Sequence, residues 1–132
     1  MTGHRLFLSH SARDAALANR LEKSLEKLGF STFNPMRDVR HGEDWRGAVQ
    51  TAIRRADVLL LLIGSPDSAS SSWMGYEAGM AEALGKRVVT LVADRFSLTQ
   101  LPSDMAGRMV LRLDPNVPDR AARDVANLLA AA

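Results

Sequence analysis

The chain has 132 residues, 46% hydrophobic and 5% aromatic, which supplies one hydrophobic core and leaves no room for two domains of ordinary size. Its 17 Lys and Arg against 15 Asp and Glu leave a net charge of +2, which gives no reason to expect nucleic acid or an anionic membrane as partner. The absence of cysteine excludes disulfides, thiolate metal sites and a cysteine nucleophile, and three scattered His show no metal-ligand spacing. The longest purely aliphatic run covers only 58–63, and the N-terminus lacks a leader-like apolar stretch. Residues 1–132 are therefore expected to form a single cytoplasmic domain with no membrane span.

In chain order, Leu6-Phe7-Leu8 is the first expected strand. A helix follows, with Leu17, Leu21, Leu25 and Leu28 as its apolar stripe and Arg20, Glu22, Lys23, Glu26 and Lys27 around it. Ser11-Ala12-Arg13-Asp14 reads as a capping box at its start, and Gly29 as its terminator. Ser31-Thr32-Phe33 is the second strand. A second helix is expected over 44–55, with Trp45, Val49, Ala52 and Ile53 inward and Glu43 and Asp44 near its positive end. Residues 58–63 form the third strand, the serine-rich stretch 65–72 a loop, and 72–84 a third helix closed by Gly85. Strands over 88–92 and 109–113 follow, separated by a segment around 97–106 of ambiguous type. A last helix from about 119 carries Val125, Leu128 and Leu129 inward.

The third and fourth strands are unbroken apolar runs, as strands covered on both faces are. Strand and helix alternate throughout, so the expected architecture is α/β: a five-stranded parallel sheet in flavodoxin-like order with helices on both faces. In such sheets ligands sit beyond the carboxyl ends of the strands, where the winding reverses between the first and third strands. That places the loops 9–14, 34–43 and 64–72 around a site.

On the third helix Trp73, Glu77, Met80 and Leu84 fall at spacings of four, three and four, so Glu77 shares an apolar stripe. A carboxylate there costs several kcal/mol unless it has partners or opens onto a pocket. Burial without a cation raises its pKa, which makes it a candidate for chemistry; the structural alternative is a glutamate capping a loop or paired with Arg37 or Arg40. Gly75 and Gly79 flank it at a G-x-x-x-G spacing and are expected to permit close helix packing. No G-x-G-x-x-G or P-loop pattern is present, so a dinucleotide would not bind by the Rossmann or Walker route.

Leu6-Phe7-Leu8-Ser9-His10-Ser11 followed by Asp14, then Gly29, Gly42 before Trp45, Ser65-Pro66, and Trp73-Met74-Gly75-Tyr76-Glu77 together resemble a Toll/interleukin-1 receptor (TIR) domain of the small prokaryotic type. The likeness covers nearly the whole chain and is loosest after Leu91. It implies either an enzyme that cleaves the nicotinamide N-glycosidic bond of NAD, with NAD as substrate and no cofactor or metal, or a non-enzymatic module that binds other TIR domains. In the enzymes the glutamate of the tryptophan-x-x-x-glutamate motif is catalytic, which here is Glu77. The product is ADP-ribose or a cyclic variant.

The same resemblance puts Ser9, His10 and Ser11 against nicotinamide and ribose. It puts Arg37 and Asp38, in a mobile segment shared with Arg40 and His41, near the substrate, with arginine meeting the pyrophosphate. Ser65 lies at the same site, and Trp73 walls the pocket or supports Glu77. Capping, turn formation or core packing is the bland account of each; Phe7 and Trp45 are expected in the core. The family also implies self-association that completes the site, in bacterial signalling or defence, with any sensor supplied by a separate partner or by sequence outside these residues. A response-regulator receiver is excluded by Ser9-His10 and Gly64-Ser65 where acidic residues belong. A nucleoside deoxyribosyltransferase, with its own helical glutamate, is the lesser alternative.

Overall fold

The computed structural model describes residues 4–40, 42–65, 72–93 and 109–130. Among them five strands, β1 (Arg5–His10), β2 (Ser31–Phe33), β3 (Val58–Ile63), β4 (Arg87–Ala93) and β5 (Met109–Leu113), form one parallel sheet in the order β2-β1-β3-β4-β5. The helices are α1 (Ala15–Lys27), α2 (Pro35–Asp38), α3 (Trp45–Arg55), α4 (Ser72–Ala83) and α5 (Pro118–Ala130). All five expected strands and the flavodoxin-like order are present. The ambiguous segment around 97–106, and 66–71 of the serine-rich loop, lie outside the described residues.

Alternation along the strands divides the core in two. Phe7, Leu59, Leu61, Ile63, Val88 and Val92 face α3 and α4, where they meet Val49, Ile53, Met74, Ala78 and Ala81. Leu6, Leu8, Leu60, Leu62, Val89 and Leu91 face the opposite side and meet Ala18, Leu21 and Leu25 of α1 and Val125 and Leu129 of α5. Covered on both faces, β3 is buried along its whole length, which is why its sequence does not alternate. Gly29 and Gly85 take φ of 92° and 74°, and the N–H groups of Phe30 and Lys86 bond back to Leu25 and Ala81, closing α1 and α4 as the glycines foretell.

Four expectations are corrected. No capping box forms: a 3-10 turn, Ala12–Asp14, precedes α1, and Ser11 makes no cap bond to a backbone N–H. The Asp14 carboxylate is drawn instead to the backbone N–H of Gly64 at the end of β3, 3.1 Å away, with the Ser11 hydroxyl 3.4 Å from it. The buried stripe of α1 is Ala18, Leu21, Glu22 and Leu25, with Leu17 and Leu28 at its margins, so Glu22 is not solvated. On α4 the buried face is Met74, Glu77, Ala78 and Ala81; Trp73 and Met80 flank it, and Leu84 is 43% exposed. In both helices the true stripe has the i, i+3, i+4, i+7 pattern, and small alanines let the helix lie close on the sheet. Finally, Gly75 and Gly79 support no close packing among the described residues, where a Cβ at either meets nothing within 4 Å.

Candidate active site

The site follows from the direction in which β1 ends. Ser9 points to the same face as Phe7 and so toward α4, while His10 points with Leu6 and Leu8 toward the α1 side. Both lie at the carboxyl end of β1, opposite Leu61 and Leu62 of β3, where the winding of the sheet reverses.

Glu77 reaches this point from the buried face of α4 and is 1% exposed. The Ser9 hydroxyl donates a hydrogen bond to its Oε1, whereas Oε2 is buried without a hydrogen-bond partner among the described residues. Neither arginine considered from sequence pairs with it: Arg37 is engaged elsewhere, and Arg40 is exposed. Burial therefore dominates and pushes the Glu77 carboxyl up to about 7, against the smaller opposing effects of the Ser9 hydroxyl and the Trp73 indole. At neutral pH the group is divided between acid and carboxylate, and a cation brought to Oε2 favours the carboxylate.

Around it Leu8, Ser9, His10, Asn34, Pro35, Met36, Trp45 and Trp73 enclose a crevice of ≈ 10 Å³, room for about one water. The Trp45 ring lies 5.5 Å from Trp73, and Trp73 stacks on Tyr76 at 5.3 Å, giving the crevice an aromatic wall. Trp45 also packs against the core, as expected, so one side chain serves both places. A larger hollow of ≈ 620 Å³ lies between β1, β2 and α3, but Arg5, Glu43, Asp44 and Arg55 around it are exposed, and no buried titratable group opens into it. The perturbed carboxylate makes the small crevice the candidate site.

Of the residues singled out from sequence, Ser9, His10, Trp73 and Glu77 converge on the crevice, while Ser11, Arg37, Asp38 and Ser65 do not line it. Arg37 donates from Nε and Nη2 to the two Asp38 oxygens, both at 2.8 Å, and from Nη1 to Glu22. The Asp38 hydrogen bond, partly countered by burial and aided by Glu22, raises the Arg37 pKa. Burial pushes Asp38 up, but the bonds from Arg37 and from the Asn34 N–H outweigh it and hold its pKa low. The pair braces α2, whose N-terminus is capped by the Asn34 side chain accepting from the Met36 N–H at 3.1 Å. His41 lies outside the described residues.

Asn34, Met36 and Glu22 were missed. Asn34 carried a signal in Asn34-Pro35, a helix cap followed by proline at the first helical position, and Glu22 carried one in its place in the 18-21-22-25 stripe.

No group of His, Asp or Glu among the described residues is arranged to hold a metal, and no helix among them is long and apolar enough to cross a membrane. A comparison with curated proteins gives no match. Among solved structures the chain is similar to a metazoan TIR-STING receptor from C. gigas, at a TM-score of 0.71 and 22% identity, covering 92% of this chain and 40% of that one. It is also similar to a CMP N-glycosidase from Clostridium botulinum, at a TM-score of 0.67 and 18% identity, covering 94% of this chain and 98% of that one. A 2-deoxyribosyltransferase from Bacillus psychrosaccharolyticus follows at 0.60 and 21% identity, covering 87% and 90%. The sequence itself matches the TIR domain family model over residues 6–129, so the chain belongs to the TIR domain family.

Proposed function

We propose that this TIR domain is a glycohydrolase that cleaves the nicotinamide N-glycosidic bond of NAD, with Glu77 as its catalytic residue. The observation that carries the reading is a buried carboxylate with one oxygen held by Ser9 and the other unpartnered among the described residues, at the carboxyl end of the sheet. The bond between ribose C1′ and the nicotinamide nitrogen breaks, and its electron pair leaves with that nitrogen and cancels its formal positive charge. No leaving-group acid is needed. Positive charge develops on the ribose, and Glu77, in a crevice nearly free of water, stabilises it far better than an exposed carboxylate would. Water then adds at C1′ and loses a proton, giving ADP-ribose; attack by the adenine instead gives a cyclic product.

Ser9 holds the carboxylate, and His10, Trp73 and Trp45 meet the nicotinamide riboside half. Arg37 and Asp38 act by bracing α2, whose Pro35 and Met36 close the crevice. A crevice with room for one water admits no dinucleotide, so α2 must move for substrate to enter. Assembly with further copies of the domain is the proposed means of holding the open form, and specific activity is then expected to rise with protein concentration.

The test is nicotinamide release from NAD by concentrated protein beside a Glu77→Gln control of equal fold content. Release that vanishes in the control supports the reading, and silence from a folded wild type contradicts it. The likeness to a CMP N-glycosidase and a 2-deoxyribosyltransferase favours CMP and deoxynucleosides as parallel substrates in the same assay. Cleavage of these with NAD untouched keeps Glu77 as the centre and replaces the substrate. No cleavage of any of them leaves an interaction module.

A further inference from the structure

We infer that Glu22 is a positioning residue for this site, fixing the His10 ring through Asn34 and tying the ring to the closed position of α2. The inference rests on the reading of the crevice as a catalytic site.

Glu22 lies on α1, is 1% exposed and does not line the crevice. Its Oε1 accepts from Asn34 Nδ2 at 2.6 Å, and its Oε2 accepts from Arg37. The amide of Asn34 is thereby oriented: Nδ2 faces a carboxylate, and Oδ1 accepts from the Met36 N–H. Flipping it would set oxygen against carboxylate and nitrogen against an N–H donor. Oδ1 also faces His10 Nε2 at 3.1 Å, so that ring nitrogen must carry a proton to make the bond. At the other edge, Nδ1 lies 2.7 Å from the Ser11 carbonyl oxygen, a contact satisfied when Nδ1 donates. A carboxylate on a helix outside the crevice thus holds, through one amide, an acceptor on Nε2 that competes with the Ser11 carbonyl on Nδ1 for the proton of a neutral ring. The same amide caps α2, and Arg37 links Glu22 to Asp38 at the far end of α2. Opening of the segment and reorientation of His10 are therefore one event.

Glu22→Gln keeps the shape of the side chain and removes the charge that fixes the amide. Nitrogen-15 spectra of the His10 ring report the result without any turnover. Wild type should show a protected Hε2, and the variant, folded by circular dichroism, should lose that protection; where NAD is cleaved, its kcat/KM should fall about tenfold or more. A folded variant with an unchanged His10 ring, or an unchanged kcat/KM, overturns the inference. If the variant does not fold, the Asn34 side-chain amide of the wild type decides. Slow exchange of its protons supports the link to Glu22, and exchange at the solvent rate overturns it. A wild type that cleaves no NAD refutes the function reading and leaves the ring measurement free to judge this one.

Discussion

Two glutamates of this chain are buried to the same degree, on helices of the same stripe pattern, and differ in what meets their oxygens. Glu22 has an amide on one oxygen and a guanidinium on the other, so its charge is compensated and it serves the architecture around α2. Glu77 has a serine hydroxyl on one oxygen, no hydrogen-bond partner on the other among the described residues, and only the smaller effect of the Trp73 indole besides, so its negative charge is expensive until a ligand shares it. Burial alone does not separate these two carboxylates; the count of satisfied lone pairs does. Since the opposed carboxylates sit on opposite sides of β1, Ser9 and His10 read them separately, one for each face of the sheet.

The sharpest way to break this comparison is Glu77→Gln, which should reduce nicotinamide release by about 10³-fold or more while stabilising the fold. The folded wild type holds the Glu77 proton up to about pH 7, whereas the unfolded chain releases it near 4.5. Wild-type stability therefore falls as pH rises through that window, and above it the variant should lead by about 3 kcal/mol in urea unfolding, with the lead vanishing below pH 4.5. The wild-type rate should climb with pH to a plateau above about 7, as the carboxylate form fills.

Gly64→Ala probes the loop geometry that brings the site together. A Cβ there would lie 2.2 Å from Asp14 Oδ1, so the carboxylate must leave the Gly64 N–H, at a cost of about 1–3 kcal/mol by thermal unfolding. Ser9→Ala removes the donor to Oε1 and should raise the Glu77 pKa further, moving the rise of the rate profile to higher pH and lowering the rate at pH 7. Arg37→Ala puts Glu22 in the condition of Glu77, with one oxygen unmet. The half-exposed guanidinium limits the loss to about 1–2 kcal/mol by urea unfolding. Gly79→Ala sits at the small end, with a gain of up to about 1 kcal/mol, since the helix gains propensity and the new methyl meets nothing among the described residues.

Strand positions and sheet order were legible because apolar runs and terminating glycines are local signals. Glu77 was legible because a charge on an apolar stripe stands out, and Ser9 and His10 because they end the first strand. Helix phase was less so: leucines at 17, 21, 25 and 28 drew the stripe one residue away from its true centre, and the alanines that mark close approach to the sheet carried too little hydrophobicity to correct it. That shift concealed Glu22. The partners of Arg37 were beyond reach for another reason, since Glu22 is fifteen residues away and meets it only once β2 has turned the chain back over α1. Whether a loop arginine faces substrate or a buried acid is decided by tertiary contact, which no local pattern encodes.

The most direct measurement is the titration of the Glu77 carboxyl by carbon-13 NMR in the folded, ligand-free protein. A midpoint near 7, set by burial without a cation, is expected. A midpoint at the ordinary glutamate value of about 4.5 would mean that the carboxylate is compensated after all, and would remove the physical ground for placing the chemistry there.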